Sequence, residues 1–325
     1  MERKNIAIVA GGDSSEFAVS LKSAEGILSF LDQERYRVFV VLLSQKEWKV
    51  KTGENRFEPI DKNDFSFLLD GEKITFDFAY ITIHGTPGEN GLLQGYFELI
   101  GMPYSSCGVL ASALTFDKYT CNHYLQGFGL RIAQSILLRT GETADYNAII
   151  DTVGLPCFVK PNAGGSSVAT TKVKSAEALP QAIQEARNEG GDVIIESFMP
   201  GREVTCGCYK TRKGSTVLPL TEAVSKNEFF DYEAKYTASR VEEITPAPIP
   251  EHIAGQIRQS TSRIYDILGC KGIIRADYII VGETPFLLEV NTTPGMTATS
   301  FIPQQVRAAG LDIKEVLTEI IEDEF

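Results

Sequence analysis

Apolar and polar positions alternate in blocks along the first hundred residues of the chain. Apolar runs at 5–10, 37–43 and 78–83 have the length of strands, and an amphipathic stretch at 16–30 follows the first of them. Strands that are separated by helical crossovers pair in parallel, with both faces of the sheet covered. The pattern therefore predicts a parallel α/β unit at the N-terminus.

The rest of the chain mixes short strands with longer helical stretches. The segment 222–250 differs, because polar and aromatic residues lead to a closing Pro246-Ala247-Pro248-Ile249-Pro250. A connection of this length in a compact enzyme is usually a functional lid, which we predict here. Strands are predicted at 157–160, 193–196 and 203–209, and helices at 92–100, 108–125, 175–189, 251–268 and 313–321.

The most informative stretch is a predicted hairpin between residues 275 and 295. Two β-rich runs flank Gly282-Glu283-Thr284-Pro285, so the strands should pair antiparallel and bring Asp277 close to Glu289. Glu289 and Asn291 are two residues apart and face the same side. Two carboxylates and an amide oxygen, without His or Cys, form the oxygen-only site that Mg²⁺ prefers. The alternative is a solvated edge hairpin, in which exposed acids are ordinary.

Length, charge and cysteine usage narrow the class of protein. A chain of 325 residues with 43% apolar content predicts two or three globular domains. The net charge of -12 argues against nucleic acid or an anionic membrane surface as the main partner. No apolar run approaches the ~20 residues of a membrane span, which predicts a cytoplasmic protein. The six cysteines include no C-x-x-C, and therefore predict reduced packing thiols rather than disulfides or zinc ligands.

A phosphate-binding loop is predicted after the strand that ends at Lys160. The P-loop motif is absent from the sequence, but Pro161-Asn162-Ala163-Gly164-Gly165-Ser166-Ser167 offers paired glycines and two hydroxyls that can approach an anion. A plain hairpin turn is the alternative. Lys118 by itself is typical of an ordinary surface lysine.

Two further candidates follow the predicted N-terminal strands. Glu16 stands after Gly11-Gly12-Asp13-Ser14-Ser15, where a carboxylate at the carboxyl edge of the sheet could bind a substrate ammonium. Its spacing from Asp13 also fits a capping box, which would be structural. His84 follows a strand end, a position that favours a site over a core histidine.

Together these motifs resemble those of the ATP-grasp ligases, and within them the D-alanine:D-alanine ligases. The most specific blocks are Phe230-Asp231-Tyr232-Glu233-Ala234-Lys235-Tyr236, Arg275-Ala276-Asp277 and 288–297, in that order. The resemblance implies a two-part ATP-grasp fold that holds the nucleotide between its parts, after the N-terminal α/β domain. The implied units are 1–108, 109–192 and 193–325, the last with the lid at 222–250.

The resemblance also implies the reaction and the residue roles. ATP phosphorylates a D-alanine carboxylate, the amine of a second D-alanine attacks the acyl phosphate, and ADP and phosphate are released; the dipeptide serves peptidoglycan synthesis. The implied catalytic residues are Glu16, Ser166, Tyr236, Arg275 and Gly295. The implied substrate residues are Glu16, His84, Ser300 and Phe301, and Asp277, Glu289 and Asn291 would hold two Mg²⁺ ions, with Mn²⁺ as an alternative. The implied ATP-binding residues are Lys118, Lys160, Ser167, Glu196, Phe198, Met199, Glu203 and Lys235.

Departures from the family pattern leave the acceptor open. Ser197 stands where a lysine is common, Phe230 where tyrosine is common, and Phe301 where leucine is usual. A D-lactate or D-serine acceptor therefore remains an alternative. A Rossmann-type oxidoreductase and a catalytically silent nucleotide-binding module are the readings from other classes. The implied partners are ATP, D-alanine and a second copy of the chain in a homodimer.

Overall fold

The N-terminal sheet carries the predicted parallel core. A computed structural model describes residues 3–225 and 241–325, and the structural statements below concern these ranges. Its first sheet has the order β4-β3-β2-β1-β7. The strands are β1 Lys4–Gly11, β2 Tyr36–Leu43, β3 Trp48–Lys51, β4 Phe57–Pro59 and β7 Phe78–Ile81, and a small separate hairpin is formed by β5 Phe67–Leu69 and β6 Glu72–Ile74.

The centre of this sheet confirms the predicted parallel unit. Strand β1 pairs in parallel with β2 on one side and β7 on the other, and its apolar residues from Ile6 to Ala10 are fully buried. Helix α1 (Phe17–Phe30) makes the first crossover and packs on β1. Strands β3 and β4 extend the sheet antiparallel, which the sequence pattern did not predict.

The predicted single helix at 108–125 is wrong. Helix α2 (Leu92–Ile100) forms as predicted, but the next stretch divides into α3 (Val109–Phe116) and α4 (Lys118–Gln126). Asp117 lies between them in an extended conformation, and its Oδ1 accepts a hydrogen bond from Thr120 N at 2.8 Å. An aspartate that caps a helix N-terminus satisfies an amide that lacks a helical partner, so a new helix begins at this point.

Two antiparallel sheets follow in the second half of the chain. The four-stranded sheet has the order β10-β9-β11-β8, and helix α6 (Leu179–Gly190) packs on it. The six-stranded sheet has the order β15-β14-β12-β16-β17, with β13 paired to β12, and helix α7 (Glu251–Ile267) packs on one face. The strands are β8 Ser135–Leu138, β9 Cys157–Pro161, β10 Thr171–Val173, β11 Val193–Ser197, β12 Arg202–Thr211, β13 Gly214–Val217, β14 Thr221–Ser225, β15 Val241–Ile244, β16 Ile273–Val281 and β17 Thr284–Asn291. The remaining helices are α5 Tyr146–Val153, α8 Phe301–Ala308 and α9 Ile313–Asp323, with a short 3₁₀ turn at Ala176–Ala178.

The hairpin of β16 and β17 confirms the most informative prediction from the sequence. Asp277 lies opposite Glu289, and Arg275 lies opposite Asn291. The predicted lid at 222–250 begins within β14 and includes β15, which pairs antiparallel with β14. Lys235 and Tyr236, which the resemblance places in that lid, lie outside the described residues.

The cysteines and the helices bear on two other predictions. All six cysteines are free thiols, and five of them are buried. Four of the buried ones, Cys107, Cys121, Cys206 and Cys208, belong to the core beneath α7. None of the helices within 3–225 and 241–325 combines the length and the apolar character that crossing a membrane requires.

Candidate active site

A cavity of about 700 Å³ lies between the four-stranded and six-stranded sheets and reaches the carboxyl end of β1. Thirteen of the residues that the sequence singled out line it together, although they come from every part of the chain. They are Glu16, Lys118, Lys160, Ser166, Ser167, Glu196, Phe198, Met199, Glu203, Arg275, Asp277, Glu289 and Phe301.

The β16–β17 hairpin brings four polar side chains to the floor of the cavity, of which three line it and the fourth, Asn291, lies beside Asp277 outside the lining. Arg275 and Asp277 are two residues apart on β16, and their cross-strand partners are Asn291 and Glu289. Residues at alternate positions of paired strands share one face of a sheet, so all four project to the same side. Arg275 donates to Asp277 through Nε (2.8 Å to Oδ1) and Nη2 (2.7 Å to Oδ2). The two side chains are largely buried, and this is a two-point ion pair.

The carboxylates of this floor are matched by nearby cations and donors. Asn291 Nδ2 donates to Asp277 Oδ2 at 3.0 Å, and Lys118 Nζ lies 3.8 Å from Glu289 Oε2. Burial alone lowers the pKa of Arg275, but Asp277 and Glu289 outweigh it and raise that pKa above its ordinary value. The Arg275 guanidinium therefore keeps its charge beside these two carboxyl groups.

The donor set fits a hard divalent cation. Asp277, Glu289 and Asn291 offer carboxylate and amide oxygens, the ligands that Mg²⁺ takes, and no soft ligand lies among them. Within the described residues, no three His, Cys, Asp or Glu side chains converge to hold a metal ion by themselves. Two carboxylates and one amide are what the hairpin supplies, which suits an ion that takes its remaining ligands from phosphates and water.

The opposite wall carries a buried lysine and glutamate pair. Lys160 on β9 and Glu196 on β11 lie on neighbouring strands, and Lys160 Nζ is 2.6 Å from Glu196 Oε2. Burial lowers the pKa of Lys160, but the charges of Glu196 and Glu289 together outweigh burial and raise that pKa above its ordinary value. Lys160 therefore remains an ammonium. The pair gives this wall a fixed cation beside a fixed hydrogen-bond acceptor.

An apolar slot extends from this pair. Phe158 and Phe198 face each other at 6.1 Å between ring centroids, and Met199 lies beside them along the cavity. Lys172 Nζ lies 3.9 Å from the Phe198 centroid, a cation–π distance. A flat aromatic ligand of the size of a purine matches a slot of this kind.

Glu16 lies at the end of the cavity that reaches the carboxyl end of β1. It precedes α1, is 8% exposed, and accepts a hydrogen bond from Ser166 Oγ. A side-chain carbon at Gly165 would lie 2.5 Å from Glu16 Oε2 and would displace the Glu16 carboxylate from its present position. Ser166 and Ser167 both have left-handed backbone angles, with φ of 53° and 57°. The segment 162–170 connects the antiparallel strands β9 and β10, as the hairpin alternative expects, and in addition its residues 164–170 fold over Glu16.

The capping-box alternative for Glu16 is wrong. Asp13 Oδ1 accepts from Gln45 N at 3.0 Å, and the amide of Glu16 donates to Ser14 Oγ at 3.2 Å. Helix α1 has no side-chain cap. The Glu16 carboxylate is thus not used to start the helix and faces the cavity.

The remaining predicted residues lie behind the cavity wall. His84 is buried, and its Nε2 lies 3.2 Å from Ser23 Oγ. Burial lowers the pKa of His84, a shift that the charge of Glu16 partly offsets. Gly295 lies near Ser300, whose Oγ accepts from Thr297 N at 3.1 Å. Asn291, described above with the hairpin, completes the set.

Sequence reasoning missed three charged residues at this site. Glu222 lines the cavity and accepts two hydrogen bonds of 2.6 Å from Arg202, which also donates to Pro248 O at 3.0 Å. Glu89 accepts from Gly85 N at 2.7 Å, and burial and the charge of Glu16 raise the pKa of Glu89 to about 8. Arg202 and Glu222 become neighbours only through strand pairing, which leaves no local signal in the sequence.

Comparison with known proteins gives a consistent result along the chain. The family profile described as D-ala D-ala ligase N-terminus matches residues 5–107, and that described as D-ala D-ala ligase C-terminus matches residues 124–322. The chain is 61% identical to the D-alanine–D-alanine ligase of Phocaeicola vulgatus, and 60% identical to that of Bacteroides fragilis. In each case 99% of this chain and 100% of the relative are covered.

Solved structures agree with the sequence comparisons. A D-Ala:D-Ser ligase from Enterococcus faecalis has a TM-score of 0.89 at 29% identity, over 100% of both chains. D-alanyl-alanine synthetase A from Vibrio cholerae has a TM-score of 0.90 at 27% identity, over 100% of this chain and 99% of the other.

Proposed function

This chain belongs to the D-ala D-ala ligase family, and on that basis we propose that it joins two D-alanine molecules in an ATP-dependent reaction. The products are D-alanyl-D-alanine, ADP and phosphate, and the dipeptide serves peptidoglycan precursor synthesis. The fold is the expected ATP-grasp arrangement after an α/β domain. ATP is therefore a substrate of the enzyme.

One observation carries the proposal. A single cavity brings together an anionic group at Glu16, the cationic pair of Lys118 and Lys160, and the Arg275–Asp277 floor. An amino acid needs an anion for its ammonium, and a triphosphate needs cations and a metal-binding carboxylate set. An enzyme that phosphorylates an amino acid's carboxylate requires all of these within one enclosed volume.

The residues of the chain divide the chemistry as follows. Glu16, held by Ser166, binds the ammonium of the first D-alanine. Lys118 and Lys160 neutralise the phosphate oxygens of ATP. The Arg275 guanidinium and the Gly295 N–H stabilise the negative oxygen that develops when the second amine attacks the acyl carbon. Lys235, which lies outside the described residues, is assigned to the transferred phosphate, and Ser300 and Phe301 to the second substrate.

Asp277, Glu289 and Asn291 are the residues that would hold the two Mg²⁺ ions, with Mn²⁺ as an alternative. When bound, the ions supply positive charge that balances the triphosphate. Arg275, which pairs with Asp277 in the structure, would share that carboxylate with a bound ion. Asn291 offers its amide oxygen once its Nδ2 no longer donates to Asp277.

The adenine is assigned to the apolar slot. Glu196 accepts from the exocyclic amine, Phe198 and Met199 contact the ring, Glu203 binds the ribose, and Ser167 adds a hydroxyl to the phosphate loop. Water must be kept from an acyl phosphate. That task belongs to the loop 164–170 and to the segment 222–250, with Tyr236, outside the described residues, as the proposed partner of Ser166.

The acceptor is D-alanine rather than D-lactate or D-serine. The relatives at 56–61% identity are D-alanine–D-alanine ligases, whereas the D-Ala:D-Ser ligase is 29% identical. A Rossmann-type oxidoreductase leaves the Asp277–Glu289 pair without a function. A silent nucleotide-binding module leaves Glu16 and Ser166 without one.

Three further assignments complete the proposal. The protein is assigned to the cytoplasm, where ATP is available, and it forms a homodimer. Its chain divides into three units at 1–108, 109–192 and 193–325. Leu92, Leu99 and Leu110 are 63%, 89% and 78% exposed on the adjacent helices α2 and α3. Exposed leucines at this density are typical of an interaction surface. A second copy of the chain is the proposed occupant.

The test is phosphate release from ATP, with Mg²⁺ present, across a panel of D- and L-amino acids and D-hydroxy acids. We expect release only with D-alanine as the first substrate, together with ADP and D-alanyl-D-alanine. Equal turnover with L-alanine, or AMP and pyrophosphate as products, would contradict the proposal. A higher rate with D-serine or D-lactate as second substrate would replace the acceptor assignment alone.

A further inference from the structure

Ser23 contacts two parts of the site that are far apart in sequence. It lies on α1, is 1% exposed, and its Oγ is 3.2 Å from His84 Nε2. The same Oγ accepts a hydrogen bond from Met296 N at 3.5 Å. One buried hydroxyl therefore connects the end of the first parallel sheet to the loop that follows the β16–β17 hairpin.

His84 contacts the same loop on its other side. Burial lowers the pKa of His84, and the backbone of Thr293 is, after Glu16, among the groups that oppose this shift. A backbone group that favours the protonated ring is an acceptor, so a ring N–H faces the Thr293 carbonyl oxygen. Because Nε2 faces Ser23, this N–H is at Nδ1, and Nε2 accepts from the Ser23 hydroxyl.

Gly295 lies in the loop between Thr293 and Met296, the two residues that His84 and Ser23 contact. Met296 N donates to the Ser23 hydroxyl, which His84 Nε2 contacts, and the Thr293 backbone faces the imidazole. Helix α1 also touches this loop directly, because a side-chain carbon at Gly26 would lie 2.2 Å from Met296 O. The two residues that flank Pro294-Gly295 are thus fixed from the same helix and the same histidine.

We propose that Ser23 and His84 form a clamp that positions the Gly295 N–H for the developing oxyanion, with Ser23 as a positioning residue that sets the tautomer of His84. The inference rests on the proposed function in that it takes the Gly295 N–H as an oxyanion donor. The clamp itself is a statement about hydrogen bonds and is measured without turnover.

The first measurement is ¹⁵N NMR of protein with labelled histidine. The chain has three histidines, His84, His123 and His252, so the signals are few and are assigned by substitution. We expect His84 to be neutral at pH 7, with its proton on Nδ1. In the Ser23→Ala variant the acceptor at Nε2 loses its donor, and the proton should redistribute toward Nε2. A wild-type His84 with its proton on Nε2 overturns the clamp, and this result needs no variant.

The second measurement compares two affinities in the same variant. A phosphinate analogue of the dipeptide has a tetrahedral centre that resembles the addition intermediate, whereas the proposed ATP contacts are at Lys118, Lys160 and Glu196 and do not include Gly295. We expect Ser23→Ala to weaken the phosphinate about 10-fold, the loss of about one hydrogen bond, with ATP affinity unchanged. Ser23→Thr keeps the hydroxyl and should restore the phosphinate affinity.

Ser20→Ala is the matched control, because Ser20 is also buried on α1 but its Oγ accepts from Gly11 N at 2.9 Å. We expect this variant to keep the wild-type tautomer of His84. Equal loss of phosphinate and ATP affinity in Ser23→Ala would mean general structural damage and would overturn the positioning role. If the clamp is found and phosphate release fails, the proposed reaction is wrong while the hydrogen bonds stand.

Discussion

Arg275 and Asp277 bind each other through two hydrogen bonds along one strand, in the place where a metal-binding carboxylate is expected. Both Asp277 oxygens are occupied by the guanidinium, at 2.8 and 2.7 Å. Arg275 therefore supplies the positive charge that a bound cation would bring. Removal of one partner of such a buried pair leaves an uncompensated charge, so the two residues stabilise each other before any ligand arrives.

Replacement of Glu289 by glutamine tests the metal assignment. The change keeps the shape of the side chain and removes one charge from the set that would hold divalent cations. We expect activity to fall about 100-fold or more, with unchanged circular dichroism and weaker Mn²⁺ binding by equilibrium titration. The control is Glu283→Gln, in the exposed turn of the same hairpin, which should match wild type. Full activity in Glu289→Gln would mean that Glu289 is an ordinary solvated residue of the hairpin and not a metal ligand.

Glutamine at position 196 tests the adenine assignment. Glu196 is buried with Lys160, so Glu196→Gln replaces one acceptor oxygen by an NH2 donor and removes the counter-charge of the lysine. Loss of one partner of a buried ion pair costs about 3 to 5 kcal/mol. We therefore expect a lower melting temperature and a KM for ATP that rises about 10-fold or more, with the KM for D-alanine unchanged.

The control for Glu196→Gln is Glu222→Gln, which also breaks a strong ion pair, here with Arg202, on the cavity wall. Both variants should lose stability. If Glu196→Gln loses stability while its KM for ATP stays at the wild-type value, the carboxylate has a structural role only and the adenine lies elsewhere.

Glu89 predicts a pH dependence of stability. Its folded pKa of about 8 lies above the ordinary value of 4.5, because burial and the neighbouring Glu16 disfavour its charge. Between these values the folded state keeps a proton that the unfolded state releases. This contribution to the free energy of unfolding is therefore complete below about pH 4.5 and is lost as pH rises to about 8, by at most about 1.4 kcal/mol per pH unit.

The measurement is chemical denaturation from pH 5 to 9, for wild type and for Glu89→Gln. The glutamine cannot titrate, so the difference in the free energy of unfolding between the two proteins should change through this range and level off above pH 8. A constant difference would show that Glu89 titrates at an ordinary pKa. Denaturation by itself requires no substrate, so the result is independent of the proposed reaction.

The sequence predicted the fold where the pattern is local and the site where a motif is compact. The pairing of Asp277 with Glu289 follows from one turn and from strand alternation, and the structure has that register. The parallel core around β1 follows equally from apolar runs that alternate with helical ones. The hairpin partners are close in the chain, whereas β1 pairs with β2 and β7 over long separations that the order of strands and crossovers predicts.

Other features were not predicted, in one case because a local cap interrupts a helical pattern and in the others because the contacts join distant segments. The helix at 108–125 breaks at Asp117, because the aspartate caps Thr120 instead of continuing the helix. Arg202 finds Glu222 only when β14 pairs with β12. Ser23 meets Met296 across 273 residues, and such a contact has no periodicity that a sequence pattern could carry.

Two helical glycines test the packing of α1 against the loop that carries Gly295. Replacement of a helical glycine by alanine usually stabilises a protein by about 0.5 to 1 kcal/mol. Gly255 on α7 has no atom within 4 Å of an added side-chain carbon, so Gly255→Ala should show this gain. At Gly26 the added carbon would lie 2.2 Å from Met296 O and 3.1 Å from Thr297 Cα.

Gly26→Ala must therefore move α1 or the loop, and we expect it to lose about 1 to 3 kcal/mol despite the better helix propensity. The measurement is urea denaturation of both variants beside wild type. The opposite signs are the essential result, because propensity alone would make both variants more stable. If Gly26→Ala is as stabilising as Gly255→Ala, the helix does not press on residues 296–297 and cannot help to hold Gly295.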